Sequence, residues 1–220
     1  MYVRSYIKLK NRMLTSKDGL MVETDRRRIR GEKARAGVLA HSARIASMEG
    51  LEGLTFGRLA TEAGVAKGNI QVLFGDKEAL QLATLESAVD LYRAAVVAPA
   101  MALARPAERL RALVTGWFQF VQGRSLPGGC FLTAASSEYR TRPGAIRDRV
   151  NQHRNEARAR FETLAREAIA AKELPASTDP ARLAFDLLAY QAIANVAAAM
   201  GDEAQFAMAR ERSLEIVGAK

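Results

Sequence analysis

The sequence predicts an all-α protein of about nine helices, with a small N-terminal helical domain before a larger helical bundle. Apolar residues recur at helical spacing, and no long segment shows the polar–apolar alternation of a strand. The clearest apolar stripe lies in residues 110–121, and a longer one covers residues 146–169. Prolines and glycines separate these segments and set approximate helix boundaries.

The N-terminal segment carries most of the positive charge. The 220 residues hold 33 Lys and Arg against 24 Asp and Glu, a net charge of +9. Residues 1–37 contain 11 basic and 4 acidic residues, whereas residues 38–220 contain 22 basic and 20 acidic residues. The excess favours a polyanionic partner, either nucleic acid or an anionic membrane surface. We predict a flexible basic arm at residues 1–32, densest near Arg28 and Arg30, which is either a solvated tail or a phosphate-contacting arm.

Residues 51–80 have the pattern of two short helices joined by a tight turn. Thr55 can cap the first helix, and Gly64 supplies a permissive backbone for the turn. The small residue Ala60, four positions before that glycine, allows the helices to cross closely. Asp76 can cap a third helix. This arrangement is typical of a helix-turn-helix, and ordinary helical packing is the alternative.

Capping residues also mark the last two helices. Asp179 followed by Pro180 is an N-cap with proline at the first helical position. Gly201 suits the end of that helix, and Asp202 with Gln205 resembles a capping box that starts the next one.

Composition excludes several kinds of site. The single cysteine, Cys130, excludes an intramolecular disulfide, and the only histidines, His41 and His153, have no metal-ligand spacing. We therefore expect no metal and no cofactor. We also expect no enzymatic activity, because no sufficiently specific motif supports the alternative of an acyltransferase that uses Cys130 and His153. The uncharged stretch of residues 187–201 is too short to span a bilayer, and no signal peptide is visible, so we expect a cytoplasmic protein without a membrane partner.

The segment 33–80 resembles the DNA-binding domain of the TetR family of transcriptional regulators. The resemblance is carried by LATEAGVAKG at residues 59–68 and by FGDKEAL at residues 74–80. Residues 127–131 and 142–144 resemble a TetR C-terminal domain more loosely. The family resemblance implies a helix-turn-helix domain at 33–80, and a ligand-binding and dimerisation domain at 81–220. It also implies a homodimeric, ligand-responsive repressor of a palindromic double-stranded DNA operator.

The resemblance implies that the second helix of the helix-turn-helix enters a major groove. In the family, the residues matching Thr55 and Lys77 contact phosphates, and the outward positions of the recognition helix read bases. With the arm, the predicted DNA-binding residues are Arg28, Arg30, Thr55, Lys67, Gly68, Asn69, Gln71, Val72 and Lys77.

The recognition helix departs from the family pattern. Ala66 stands where the family usually has serine, and Gln71 where it usually has the phosphate-contacting tyrosine. Val72 can contact thymine methyl groups instead. We hypothesise that the basic arm replaces the lost backbone affinity, because phosphate neutralisation supplies much of DNA binding.

The family resemblance also implies a pocket for an unknown small-molecule effector among the middle helices. Core packing is the alternative role for each aromatic residue at helical spacing. The candidate lining residues are Tyr92, Trp117, Phe118, Phe120, Cys130, Phe131, Tyr139 and His153.

Other functional classes stay open at this stage. Cys130 could be a redox-sensing thiol of a thiol-responsive regulator, or an inert buried cysteine. The chain could also be a helical interaction module without specific DNA binding. Within the regulator class, activation is an alternative to repression.

The last two helices are rich in small and apolar residues, which fits a four-helix interface between two subunits or a monomeric core. The predicted interface residues are Leu183, Leu187, Leu188, Gln191, Asn195, Ala198, Phe206 and Leu214.

Overall fold

The computed structural model describes residue 29 and residues 31–218. The chain divides into two compact units, residues 1–38 and residues 39–220. Within the first unit the described residues are helical. Arg28 and Arg30 lie outside the described residues, so the role of the basic arm stays a prediction. The second unit holds both the helix-turn-helix segment and the bundle, and the expected boundary after residue 80 also stays a prediction.

The described residues are helical throughout their regular structure and contain no strand. Helix α1 covers residues 31–49. The others are α2 (Phe56–Ala63), α3 (Lys67–Phe74), α4 (Lys77–Tyr92), α5 (Ala98–Met101), α6 (Pro106–Gln122), α7 (Phe131–Glu138), α8 (Ala145–Ala170), α9 (Pro180–Met200) and α10 (Glu203–Ile216). A π-helical turn, Arg93–Val97, joins α4 to α5 without a break. Counted with that continuous helix as one, nine helices are described, which confirms the predicted all-α fold.

Helices α2 and α3 form the predicted helix-turn-helix. The Thr55 hydroxyl accepts a hydrogen bond from Arg58 N at 3.1 Å, and Gly64 ends α2 in the left-handed conformation with φ of 65°. Ala66 starts α3 without a side-chain cap, because it lacks the hydroxyl of serine. Asp76 caps α4 by accepting from Ala79 N at 2.8 Å. The local signals in the sequence therefore predicted these boundaries correctly.

The bundle core is built around aromatic side chains of α6. The rings of Trp117 and Phe118 pack edge to face with their centroids 5.0 Å apart. The ring of Phe118 packs in the same way against Phe206 of α10, with a centroid separation of 5.4 Å. Helix α6 also approaches the π-helical turn closely, since a Cβ atom at Gly116 would lie 2.9 Å from Val96 Cγ1. Aromatic burial at this scale supplies much of the hydrophobic stabilisation of a helical domain.

The predicted caps of the last two helices are confirmed. Asp179 accepts from Ala181 N at 2.9 Å, and Asp202 accepts from Gln205 N at 2.9 Å. Gly201 ends α9 with φ of 75°. Within the described chain, α9 alone is long and apolar enough to cross a membrane, with a mean hydropathy of 1.4 over its best window. The sequence estimate considered only an uncharged stretch and missed this property.

Helix α9 packs in the bundle against α8 and α10. Leu187 and Ala194 on its inner side are fully buried. Only 39% of its apolar window is buried, however, so α9 also presents an apolar face to solvent. Core packing thus explains one side of α9 and leaves the other to be accounted for.

Candidate DNA-binding surface and effector cavity

The predicted recognition residues lie on the open side of α3. Ile70 and Phe74 are buried and fix the helix to its neighbours. The predicted contact residues Lys67, Gly68, Asn69, Gln71 and Val72 are all exposed. Val72 is 88% exposed, which is unusual for a large apolar side chain. The surface can therefore offer amides, an ammonium and an apolar contact to a groove of DNA.

Lys77 is held by the loop between α1 and α2. Its Nζ donates to the Glu52 carbonyl at 2.9 Å and lies 3.4 Å from Glu52 Oε2. About half of the side chain is exposed, so the ammonium remains open to solvent while it stays paired. A phosphate at this position would share the lysine with Glu52.

Glu52 is the centre of a polar cluster beneath the helix-turn-helix. The Tyr139 hydroxyl donates to Glu52 Oε1 at 2.7 Å, and Arg142 lies 3.5 Å from the same oxygen. The hydrogen bond from Tyr139, with Lys77 and Arg142 nearby, lowers the pKa of Glu52 despite its partial burial. Burial and the same hydrogen bond raise the pKa of Tyr139. Tyr139, predicted to line the effector pocket, thus contacts the α1–α2 loop instead.

Glu138 fixes the backbone of that same loop. Its carboxylate accepts from Leu51 N and from Glu52 N, both at 2.9 Å. Gly50 permits the approach, since its φ is 78° and a Cβ atom there would lie 2.8 Å from Glu138 Oε1. Gln81 of α4 donates to Leu51 O at 2.7 Å. We call this arrangement, Glu138 on the two loop amides, the loop clamp.

A cavity of about 580 Å³ lies among α4, α6, α7, α8 and α9. Such a volume is typical of small-molecule sites. Six of the predicted residues line it: Tyr92, Trp117, Phe120, Cys130, Phe131 and His153. Phe118 does not line the cavity, because its ring packs between Trp117 and Phe206.

Sequence analysis did not identify the polar part of the cavity. Arg93, Arg140, Arg154, Arg158 and Arg160 line it, with Glu156 as the one acidic residue among the described lining positions. Residues 153, 154, 157, 158 and 161 share one side of α8 by helical spacing, which is a signal that could have been found. Gln191, predicted to form a subunit interface, also lines the cavity.

His153 lies at the cavity wall in a charged network between α4 and α8. It is 3% exposed, with Nε2 2.8 Å from Glu86 Oε1 and Nδ1 3.4 Å from Glu156 Oε2. Arg149 donates to both oxygens of Glu86, at 2.6 and 2.7 Å. Arg93 donates to Glu156 at 2.8 Å. The network connects the cavity to the helix that follows the helix-turn-helix.

Cys130 lies at the start of α7 beside α9. Its backbone N–H donates to Asn195 Oδ1 at 2.6 Å, and Asn195 Nδ2 donates to the Cys130 carbonyl at 3.4 Å. The preceding Gly129 has φ of 82°, and a Cβ atom there would meet Asn195. Asn195, predicted for the subunit interface, therefore serves contacts within the chain.

The predicted interface residues are mostly internal. Leu183, Leu187, Gln191 and Asn195 are buried within the single chain, and Leu188, Ala198, Phe206 and Leu214 are partly buried. The exposed apolar residues of the last two helices are a different set. They are Phe185, Ile193, Val196, Met200 and Met208, which we call the outer apolar face.

Comparison with known proteins agrees with this architecture. Residues 106–212 match the family described as tetracyclin repressor-like, C-terminal domain. No curated protein sequence matches the chain. The fold is similar to that of a TetR transcriptional regulator from Chloroflexus aurantiacus J-10-FL, at 23% identity over 86% of this chain and 93% of that one, with a TM-score of 0.75.

Two further solved structures share the fold. A TetR-family regulator from Cytophaga hutchinsonii has 22% identity over 86% of this chain and 94% of its own, with a TM-score of 0.76. AibR, solved with isovaleryl coenzyme A and operator DNA, has 22% identity over 72% and 84%, with a TM-score of 0.60. The all-α fold with its helix-turn-helix is shared with these regulator structures. Residues 106–212 are just under half of the chain, and their match, together with the shared fold, supports a TetR-family transcriptional regulator.

The Glu86 network predicts a pH dependence of stability. The hydrogen bonds from Arg149 and His153 lower the pKa of Glu86 from 4.5 to about 2, against the effect of burial. Because the folded pKa is depressed, the ionised carboxylate stabilises the fold above pH 4.5, and this contribution is lost as the pH falls towards about 2. As the pH falls through this window, the unfolding free energy of the parent should fall by about 1 kcal/mol more than that of the Glu86→Gln variant, which has no carboxylate to protonate. The effect is small because solvent screens a partly exposed group.

Urea unfolding at a series of pH values measures this effect. The Glu78→Gln variant, which alters an exposed carboxylate of α4, is the matched control and should follow the parent profile. A Glu86→Gln profile parallel to the parent would contradict the assignment.

Proposed function

We propose that the protein is a cytoplasmic, ligand-responsive transcriptional repressor. A homodimer binds a palindromic operator through α3, and a small molecule in the cavity releases it. The observation that carries the proposal is the loop clamp. Helix α7 lines the cavity, and its last residue, Glu138, holds the α1–α2 loop that leads into the helix-turn-helix. AibR was solved with both isovaleryl coenzyme A and operator DNA. This supports the proposal that the present chain also combines a ligand site with DNA binding.

DNA recognition in this proposal uses two kinds of contact. Asn69 and Gln71 read base edges, and Val72 contacts thymine methyl groups. Thr55, Lys67, Gly68 and Lys77 contribute backbone contacts, with Arg28 and Arg30 adding charge from the arm. Lys77 keeps its bond to the Glu52 carbonyl and so approaches a phosphate with a fixed direction.

Release of DNA follows two paths from the cavity. Phe131 at the start of α7 is a wall residue, so a ligand that displaces α7 moves Glu138 and the α1–α2 loop. Arg93 and His153 are also wall residues, and their carboxylate partners connect α4 to α8. A ligand that favours one position of these helices changes DNA affinity through its differential binding to the two states.

Selection of bound sequences from a random DNA pool tests the proposed function. Recovery of one palindrome would support it, and failure to recover any sequence at low salt would contradict it. Asn69→Ala and Gln71→Ala should each weaken operator binding by about 1–3 kcal/mol and relax the preference at one base position. Gln119→Ala removes an exposed amide on α6 and should leave binding unchanged.

The outer apolar face is the proposed subunit interface. A contiguous apolar surface on a soluble protein is typical of an interaction site. The Val196→Asp variant should produce folded monomers, since Val196 is 58% exposed and contributes little to the core. Leu187→Asp should instead unfold the chain, because that side chain is fully buried.

Sedimentation velocity and circular dichroism measure both outcomes. Met48→Asp places the same charge on an exposed apolar position of α1 and should leave the dimer intact. A Val196→Asp protein that sediments as the parent dimer would exclude this surface.

A further inference from the structure

One residue of the cavity wall has a buried hydrogen-bond donor without a partner. Gln191 is 6% exposed and lines the cavity, and its Nε2 has no hydrogen-bond partner among the described residues. A buried amide left unpaired is costly, whereas a ligand atom that accepts from it removes the penalty. Because Nε2 is itself buried, a ligand oxygen can accept from it once the Gln191 amide turns towards the cavity.

The wall around this donor is mainly apolar. Tyr92, Trp117, Phe131, Phe161 and Leu188 line the same cavity, and the ring of Tyr92 packs edge to face with Phe120 at 5.6 Å. Such a wall suits an acyl chain or an aromatic body, with a few polar groups that fix its orientation.

The solvent side of the cavity is positively charged. Arg140, Arg154 and Arg158 are exposed there, and Arg158 is partly offset by Glu162 at 3.8 Å. Glu156, the one acidic residue among the described lining positions, is already paired with Arg93 at 2.8 Å. The remaining arginines favour a negatively charged group, which guanidinium binds well even in solvent.

We propose that the cavity selects an amphipathic organic anion. Its apolar body lies among the aromatic rings, an acceptor oxygen receives a hydrogen bond from Gln191 Nε2, and its negative group lies against Arg154 and Arg158. This inference rests on the proposed role of the cavity as the effector site. It assigns Gln191 as the residue that discriminates between otherwise similar ligands.

Trp117 allows the charge preference to be measured directly. It is the only tryptophan of the chain and a wall residue, so its fluorescence reports cavity occupancy without DNA. Decanoate should bind at least about tenfold more tightly than decyltrimethylammonium, and the Arg154→Gln/Arg158→Gln variant should remove this preference. Arg166→Gln, on the same helix but outside the cavity lining, should retain it.

A comparison of matched ligands tests the role of Gln191. In a chain-length series, each ω-hydroxy fatty acid is compared with the unsubstituted acid, which lacks the hydroxyl oxygen at the far end of the chain. At the length that reaches Gln191, the hydroxyl should improve binding about fivefold to tenfold, and Gln191→Leu should abolish the improvement. The same variant should raise the thermal unfolding midpoint of the free protein, because it removes an unpaired buried amide.

Either of two results would overturn the inference. One is equal binding of the anionic and cationic probes, and the other is a hydroxyl advantage that survives in Gln191→Leu or is missing at every chain length. Because these titrations contain no DNA, they are separate from the operator test. Anion binding without a selected palindrome would leave the cavity assignment standing and remove only the repressor function.

Discussion

The position of the helix-turn-helix depends on one carboxylate. Glu138, at the end of α7, accepts from two consecutive loop amides, and a side chain at Gly50 would obstruct it. A charged acceptor with two backbone donors is among the stronger hydrogen-bonded arrangements in proteins. The loop also holds Lys77 at the start of α4. Loss of Glu138 would therefore leave the loop to its remaining contacts with Gln81 and Tyr139 and weaken the connection between α7 and the DNA-binding segment. The loop clamp therefore connects the candidate DNA-binding surface to helix α7 of the bundle.

The same bundle gives the cavity two connections to that surface. Helix α7 joins it to the loop, while the Glu86–Arg149–His153 network joins it to α4. Removing one partner of a partly buried ion pair destabilises the arrangement, because the remaining charge loses its counter-charge. A ligand that reorients Arg93 or Phe131 can thus change the arrangement of both connections. In the proposed function, this coupling would transmit ligand binding to the DNA-binding surface.

Sequence reasoning succeeded where the determinants are local. The caps Thr55 and Asp202 and the left-handed Gly64 all act within a few residues, so their patterns predicted the helix ends. It could not predict the clamp, since Glu138 and Leu51 are 87 positions apart and no local pattern records their contact. Four of the predicted interface residues are buried within the chain, because α9 is apolar around most of its circumference and periodicity does not separate its inner side from its outer one. Gln191 is one of these four residues, and it also lines the cavity.

Amide hydrogen exchange at Leu51 and Glu52 tests the central claim most directly, namely that the cavity acts on the DNA-binding segment through the loop clamp. Both amides should be protected in the free protein, and saturation of the cavity with decanoate should change their protection. In Glu138→Gln, which keeps the side-chain size but replaces one acceptor oxygen by a donor group, that response should disappear while decanoate still quenches or enhances Trp117 fluorescence. Exchange rates at both amides that are the same with the cavity empty and filled in the parent protein would contradict the account.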